Sequence, residues 1–339
     1  MFHDKMKTYR GIPFSVLDLA PVLEGEEPKD SFDNSIKLAQ AVEKFGYNRY
    51  WLAEHHNMPG IASSATSLLI GHIAQHTESM RVGAGGVMLP NHAALVIAEQ
   101  FGTLESLFPN RIDLGLGRAP GTDQATAFAL RRTLNQHVED FPNQVLELEN
   151  YFSDHPKGHV EAVPGKGLHV PIWLLGSSDY SARLAAEKGL PFSFASHFAP
   201  QFMLEALKIY HDNFKPSEVL DKPHVMLGIN IITADSEEEA KFIATSQQQQ
   251  VVHLRRNQPT KLQPPVKDLS SIISNTELMT VENMSNTSTT IIGDSKVVKE
   301  KVDALLELTK ADELIINSQI FDIDSRIHSY KLTANLFDS

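Results

Sequence analysis

RVGAGGVMLPNHAALVIAEQFGTLESLFPNRIDLGLG, residues 81–117, holds two buried-strand patterns separated by one helical pattern. Met80–Leu89 reads as a strand rich in valine and glycine. Asn91 then stands as the cap of a helix with Ala94, Ile97, Ala98, Phe101, Leu104 and Phe108 at helical spacing, and Arg111–Leu116 reads as the next strand. The strand runs are apolar without strict alternation, so both faces of the sheet must be covered. Upstream the same order recurs. Phe14–Leu19 is a strand. Asp30 or Ser31 caps a helix bearing Leu38, Ala41, Val42 and Phe45, closed by Gly46. Arg49–Ala53 is a strand, and Ser63 or Ser64 caps a helix with Ala65, Leu68, Leu69 and Ile73 inside.

Downstream, helical material runs to about Phe152, and strands follow at Pro171–Leu175, Phe192–Ala195, Val225–Thr233 and Glu313–Ile316. Helices are read from the Ser177–Asp179 cap candidates to Gly189, over Pro200–Phe214, from Ser236 onward, over Ser295–Leu308 and over Asp322–Phe337. Eight strands, each followed by a helix, predict an α/β chain closed into a (β/α)8 TIM barrel, one domain over residues 1–339. Residues 247–292 break the pattern. They open with Gln247–Gln250, carry Pro259, Pro264 and Pro265, and end in an Asn/Ser/Thr-rich run at 283–290. A long structureless loop of this kind reads as an insertion before the last βα unit, a lid or mobile segment.

The 339 residues are 42% hydrophobic and 21% charged, which is ordinary globular composition. The absence of cysteine excludes disulfides, thiolate metal sites and cysteine nucleophiles. A formal net charge of −12 argues against nucleic acid or an anionic membrane as partner. With no long apolar run and a polar N-terminus, the expectation is a soluble cytoplasmic protein. Any anionic ligand must be met by a local arginine cluster or a helix N-terminus.

In a barrel of this type the working residues come from the C-terminal ends of the strands, and the unusual segments fall there. They are Glu54-His55-His56-Asn57 after strand 2, Gly83-Ala84-Gly85-Gly86 in strand 3, Gly115-Leu116-Gly117-Arg118 after strand 4, Gly176-Ser177-Ser178 after strand 5 and Ser196-His197 after strand 6. Adjacent strand residues face opposite ways, so His55 and His56 cannot easily share one metal, and no metal site is expected. One histidine is either a hydrogen-bonded core group or an imidazole in the barrel mouth. The glycines are either tight turns or points where the backbone approaches a flat ligand. Pro120 stands where a dinucleotide fingerprint needs its third glycine, so a Rossmann site is not expected. Arg118, Arg131 and Arg132 are surface ion-pair partners or anion contacts. Ser177 and Ser178 are helix caps or phosphate contacts.

Read together, Gly46-Tyr47-x-Arg49-Tyr50-Trp51-x-Ala53-Glu54-His55-His56, the run Arg81 to His92, and Gly102-Thr103-Leu104 through Arg111 to Thr122 resemble the bacterial-luciferase-like flavin monooxygenases. The resemblance resumes at Pro171–Ser178 and at Ile292 to Ile316. It implies a (β/α)8 barrel that binds FMN, or in a sister branch the deazaflavin F420, at the barrel mouth. It implies a non-proline cis peptide at Gly85–Gly86, Val87, Met88 and Leu175 as walls of the flavin ring, and catalytic roles for His55 and Glu54. It also implies cofactor contacts from Gly176, Ser177, Ser178, Ser181, Arg118 and Arg131. The implied activity is a two-component monooxygenase taking reduced FMN from a separate flavin reductase, acting with O2 on a small organic substrate, as a homodimer. An F420-dependent dehydrogenase and a non-catalytic flavin-binding protein are the alternatives. The luciferase cysteine after strand 4 corresponds to Gly117 here, so light emission is not expected.

Overall fold

The computed structural model describes residues 5–119, 121–131 and 140–337. Its eight barrel strands are β1 (Ile12–Asp18), β2 (Arg49–Leu52), β3 (Arg81–Met88), β4 (Ile112–Gly117), β5 (Ile172–Gly176), β6 (Phe192–Phe194), β7 (Val225–Thr233) and β8 (Glu313–Asn317). All neighbouring barrel pairs are parallel, and pairing of β1 with both β2 and β8 closes the ring. The (β/α)8 barrel is therefore as the sequence predicts. The helices are α1 (Pro28–Phe45), α2 (Thr66–Gln75), α3 (Ala94–Leu107), α4 (Gln124–Arg131), α5 (Phe141–Phe152) and α6 (Asp179–Lys188). They continue with α7 (Met203–Asn213), α8 (Glu237–Arg255), α9 (Asn275–Ser285), α10 (Ser295–Thr309) and α11 (Ile323–Ala334). Among the described residues no helix is long and apolar enough to cross a membrane.

Alternate residues of each strand point into the barrel. A floor of buried charge lies at the N-terminal end. Arg49 bridges Asp113 at 2.7 Å and Glu313 at 3.0 Å, and Arg81 reaches Asp113 at 2.6 Å. Ser15 and Asn48 also donate to Glu313. Burial alone would push the Asp113 carboxyl up, but Arg49 and Arg81 outweigh it and hold the group at about 2. Above this floor, Leu17, Trp51, Trp173, Met226 and Ile315 form an apolar middle layer. The larger core lies outside the strands, beneath the helices.

Three expected caps are displaced, each for a visible reason. Helix α1 starts at Pro28, with Asp30 in a reciprocal capping box with Glu27 rather than as the cap itself. Ser63 donates to the Ala53 carbonyl at the end of β2, so α2 begins only at Thr66. Asn91 lies in a 3-10 turn, and its amide is committed to Glu54, so α3 begins at Ala94. Gly46, Gly189 and Ser236 end or cap their helices as read.

The reading of 247–292 as structureless is corrected. Gln247–Gln250 belong to α8, the run 283–290 begins inside α9, and Thr290–Gly293 is a short strand parallel to β7. Gln247, Gln248 and Gln249 are bonded internally. Gln248 donates to Ser285 (3.1 Å) and Gln249 to the Pro264 carbonyl (2.9 Å), while Gln247 accepts from the Gln319 amide (3.3 Å). Polar composition signalled a loop because glutamine pairs that join helix to strap look, in sequence, like solvated glutamines. The strap also pairs Leu262 with Leu23 in the loop after β1, on the C-terminal side of the barrel.

Candidate active site at the C-terminal end of the barrel

Glu54, two residues beyond β2, is almost fully buried. It accepts from the Met88 amide (2.8 Å), Asn91 (3.2 Å), His92 (2.9 Å) and His56 (2.9 Å). Burial pushes its carboxyl up, and the bonds from His56, His92 and Met88 more than reverse this, to about 2. A carboxylate so satisfied and so acidic holds its neighbours in place; it is a poor proton acceptor at neutral pH. The catalytic part that the resemblance implies for Glu54 is, on this geometry, one of holding Met88, Asn91, His92 and His56 in place.

His55 points the other way along the chain. Its Nδ1 lies 3.2 Å from the Gly121 carbonyl, which can only accept, so Nδ1 carries the proton and Nε2 the lone pair. Burial pulls its pKa below 6.5, with the Gly121 carbonyl and Glu54 opposing. His197, after β6, sits over Gly228 of β7. A Cβ on Gly228 would stand 2.5 Å from its Nδ1, so only glycine leaves room for the ring. Both rings are hemmed by protein yet keep some accessible surface, as in a concave mouth.

Burial lowers His197 from 6.5 to about 4, with the Gly228 carbonyl opposing and His55 assisting. The unfolded chain therefore takes up this proton first as the pH falls. The stability contributed by the neutral ring is complete above pH about 6.5 and is lost as the pH drops toward about 4. A His197→Gln variant is expected to show a shallower fall in urea midpoint across that window. A fall as steep as in the parent would contradict the assignment.

Gly83 and Gly86 of β3 and Gly115 of β4 lie where neighbouring backbone leaves no room for a side chain. A Cβ at Gly83 would lie 2.5 Å from the Asp113 carbonyl oxygen, at Gly86 2.7 Å from that of Gly115, and at Gly115 2.2 Å from that of Ala84. Gly85–Gly86 is a cis peptide, as the resemblance implies. The register of β3 against β4 shifts between Ala84 and Val87. This irregularity reverses the facing of the residues that follow. Val87, expected to wall a flavin ring, is instead buried in the helix-side core beside Leu116. Met88 takes the inward position, its sulfur 2.7 Å from where a Gly117 Cβ would be, so a cysteine there would require Met88 to move. Leu175 does line the mouth, beside Gly86 and Gly115.

On the same end, the Arg118 guanidinium stacks 3.8 Å above the Tyr180 ring in the first turn of α6. Ser178 is the N-cap of α6, with extended backbone and no capping bond from its side chain. The first-turn amides of α6 are thus left for another acceptor. Ser177 is half-buried next to it, and Ser181 is buried against Gly176, which has no Cβ to obstruct it. The structure brings Arg118 and the Ser177–Ser181 turn together. Arg131 ends α4, but its side chain lies outside the described residues, as do Pro120 and Arg132.

Sequence reasoning missed Tyr180, Asn230 and Asn317. Tyr180 has no sequence signal beyond its place in a helix start. The two asparagines were findable by strand parity, since Asn230 is four residues past Met226 and Asn317 two past Ile315, both inward-facing.

The model of the luciferase-like monooxygenase family matches residues 12–312. A luciferase-like monooxygenase of Escherichia coli (strain K12) is 52% identical over 330 residues, covering 97% of this chain and 98% of its own. The solved structure of apo-MsnO8 is 30% identical with a TM-score of 0.87, covering 96% of this chain and 98% of its own. More distant structures share the fold. One is the oxygenating constituent of 3,6-diketocamphane monooxygenase in complex with FMN (TM-score 0.69, 18% identical, covering 95% and 97%). Another is an F420-dependent secondary alcohol dehydrogenase (TM-score 0.66, 14% identical, covering 97% and 99%).

Proposed function

The chain belongs to the luciferase-like monooxygenase family, and from that premise we propose that it is the oxygenase of a two-component system using reduced FMN and O2 on a small organic substrate. The observation that carries the cofactor is Arg118 stacked on Tyr180 beside the open amides of α6, on the same barrel end as His55 and Leu175. In a protein of net charge −12 this is a local cationic pocket for a phosphate. The donor chemistry fits the FMN phosphate, and Leu175 above the Gly86 and Gly115 backbone offers an apolar surface for a flat ring. FMN, when bound and reduced, supplies the electrons that activate O2.

The rest is done by this chain. Arg118 and the α6 amides orient the phosphate. Glu54 fixes Met88, Asn91 and His92 and so shapes the rim. His55 holds a proton acceptor at Nε2. The strap around Leu262 limits water entry above β1, as a dry site requires. A flavin reductase supplies reduced FMN, and a homodimer is the expected assembly.

Anaerobic titration with reduced FMN, followed by admission of air, tests this reading. Tight binding with oxygen-dependent reoxidation that is slowed in the protein supports it. Binding and hydride exchange with reduced F420 instead would support the dehydrogenase, and tight binding of oxidised FMN without turnover a storage protein. Arg118→Ala is expected to weaken FMN binding about 10- to 100-fold, the worth of a charge-assisted contact. Riboflavin, which lacks the phosphate, should bind both forms alike. An equal loss for riboflavin would place Arg118 elsewhere than at the phosphate.

A further inference from the structure

The mouth has two chemically distinct halves. Over β3 to β5 it is apolar, with Gly85, Gly86, Gly115 and Leu175. Over β6 to β8 it is polar, with His197 above Gly228, then Asn230 and Asn317 paired across β7 and β8. Asn230 donates from Nδ2 to the His197 carbonyl (3.3 Å) and to Thr290 (3.3 Å). Asn317 donates from Nδ2 to Asn230 Oδ1 (2.9 Å).

This chain of bonds has one direction. A backbone carbonyl can only accept, so Asn230 must turn its amino group toward His197 and its oxygen toward Asn317. Asn317 must then give its amino group to Asn230. What remains is Asn317 Oδ1, buried on an inward-facing strand position and without a partner. A buried acceptor of this kind costs stability unless a ligand supplies a donor.

We propose that the β6–β8 half of the mouth is a substrate subsite whose specificity is set by Asn317, which selects molecules carrying an N–H or O–H donor. Such substrates are amides, alcohols and amines, as opposed to purely aliphatic chains. Asn230 is the positioning residue that fixes the Asn317 amide. The assignment rests on the flavin reading above for the apolar half being the cofactor's place.

The test uses FMN-loaded protein and two probes of matched polarity, acetamide and N,N-dimethylacetamide, with binding read by ligand-observed NMR titration in parent and variant and, in the parent, also by shifts of the Asn317 side-chain amide. Acetamide is expected to bind about tenfold more tightly, and Asn317→Leu should abolish the preference while retaining FMN. Equal binding of the two probes to the parent protein overturns the proposal, whether or not the variant folds. So does a shift of the Asn317 amide on adding FMN alone that removes the acetamide response, since the acceptor would then belong to the cofactor. If FMN does not bind at all, the flavin reading fails. The probe comparison on the ligand-free protein then still reports on Asn317 separately.

Discussion

Replacement of His55 by alanine is expected to lower oxygen-dependent turnover about 10²- to 10⁴-fold, the usual contribution of a positioned acid–base group. The Gly121 carbonyl at 3.2 Å holds its Nδ1 proton, leaving Nε2 as an acceptor at the barrel mouth. Because burial keeps the ring neutral below the usual histidine range, the parent enzyme should stay active to mildly acidic pH and lose activity as the ring protonates. In His55→Gln that acidic limb should vanish along with most of the rate. FMN binding should change little, since the proposed phosphate contacts are Arg118 and the start of α6, and His55 bonds neither. A variant that loses FMN affinity and rate together, with its acidic limb intact, would reduce His55 to a packing group.

The second large effect concerns stability. Asp113 accepts from Arg49, Arg81 and the Trp51 indole, and both arginines are buried. Asp113→Ala leaves two buried cations short of their counter-charge, and is expected to cost about 3–5 kcal/mol in urea unfolding. The loss should be similar at low and high salt, because ions in solution do not screen a fully buried group well. A loss below about 1 kcal/mol would mean that water reaches the barrel floor and solvates the arginines. The contrast with exposed pairs such as Lys29 with Asp33 is instructive: that pair lies on the surface of α1, and its removal should be nearly neutral.

The barrel was legible in the order of apolar runs because each strand is buried on both faces and each helix carries one apolar stripe. Strand ends were placed within a residue or two. Helix starts were less legible where serine or asparagine had other employment: Ser63 at the Ala53 carbonyl and Asn91 at Glu54 are capping residues by type but not by contact. The glutamine run misled for the same reason, its amides being satisfied by Ser285 and Pro264 rather than by water.

The site divides along a similar line. From sequence alone came the barrel, the family likeness, the histidine after β2, and the two glycine segments. They are written in local pattern, and local pattern determines which residues are strand, turn or cap. Facing and partnership are decided elsewhere. The shift at Gly85–Gly86 exchanges Val87 for Met88 at the mouth, Glu54 becomes a hub because donors from the chain after β2 and from the end of β3 onward converge on it, and Asn317 is left with a buried, unpartnered acceptor because a carbonyl two strands away orients Asn230. Each depends on residues far apart in the chain meeting at one end of a closed sheet, which one-dimensional spacing does not encode.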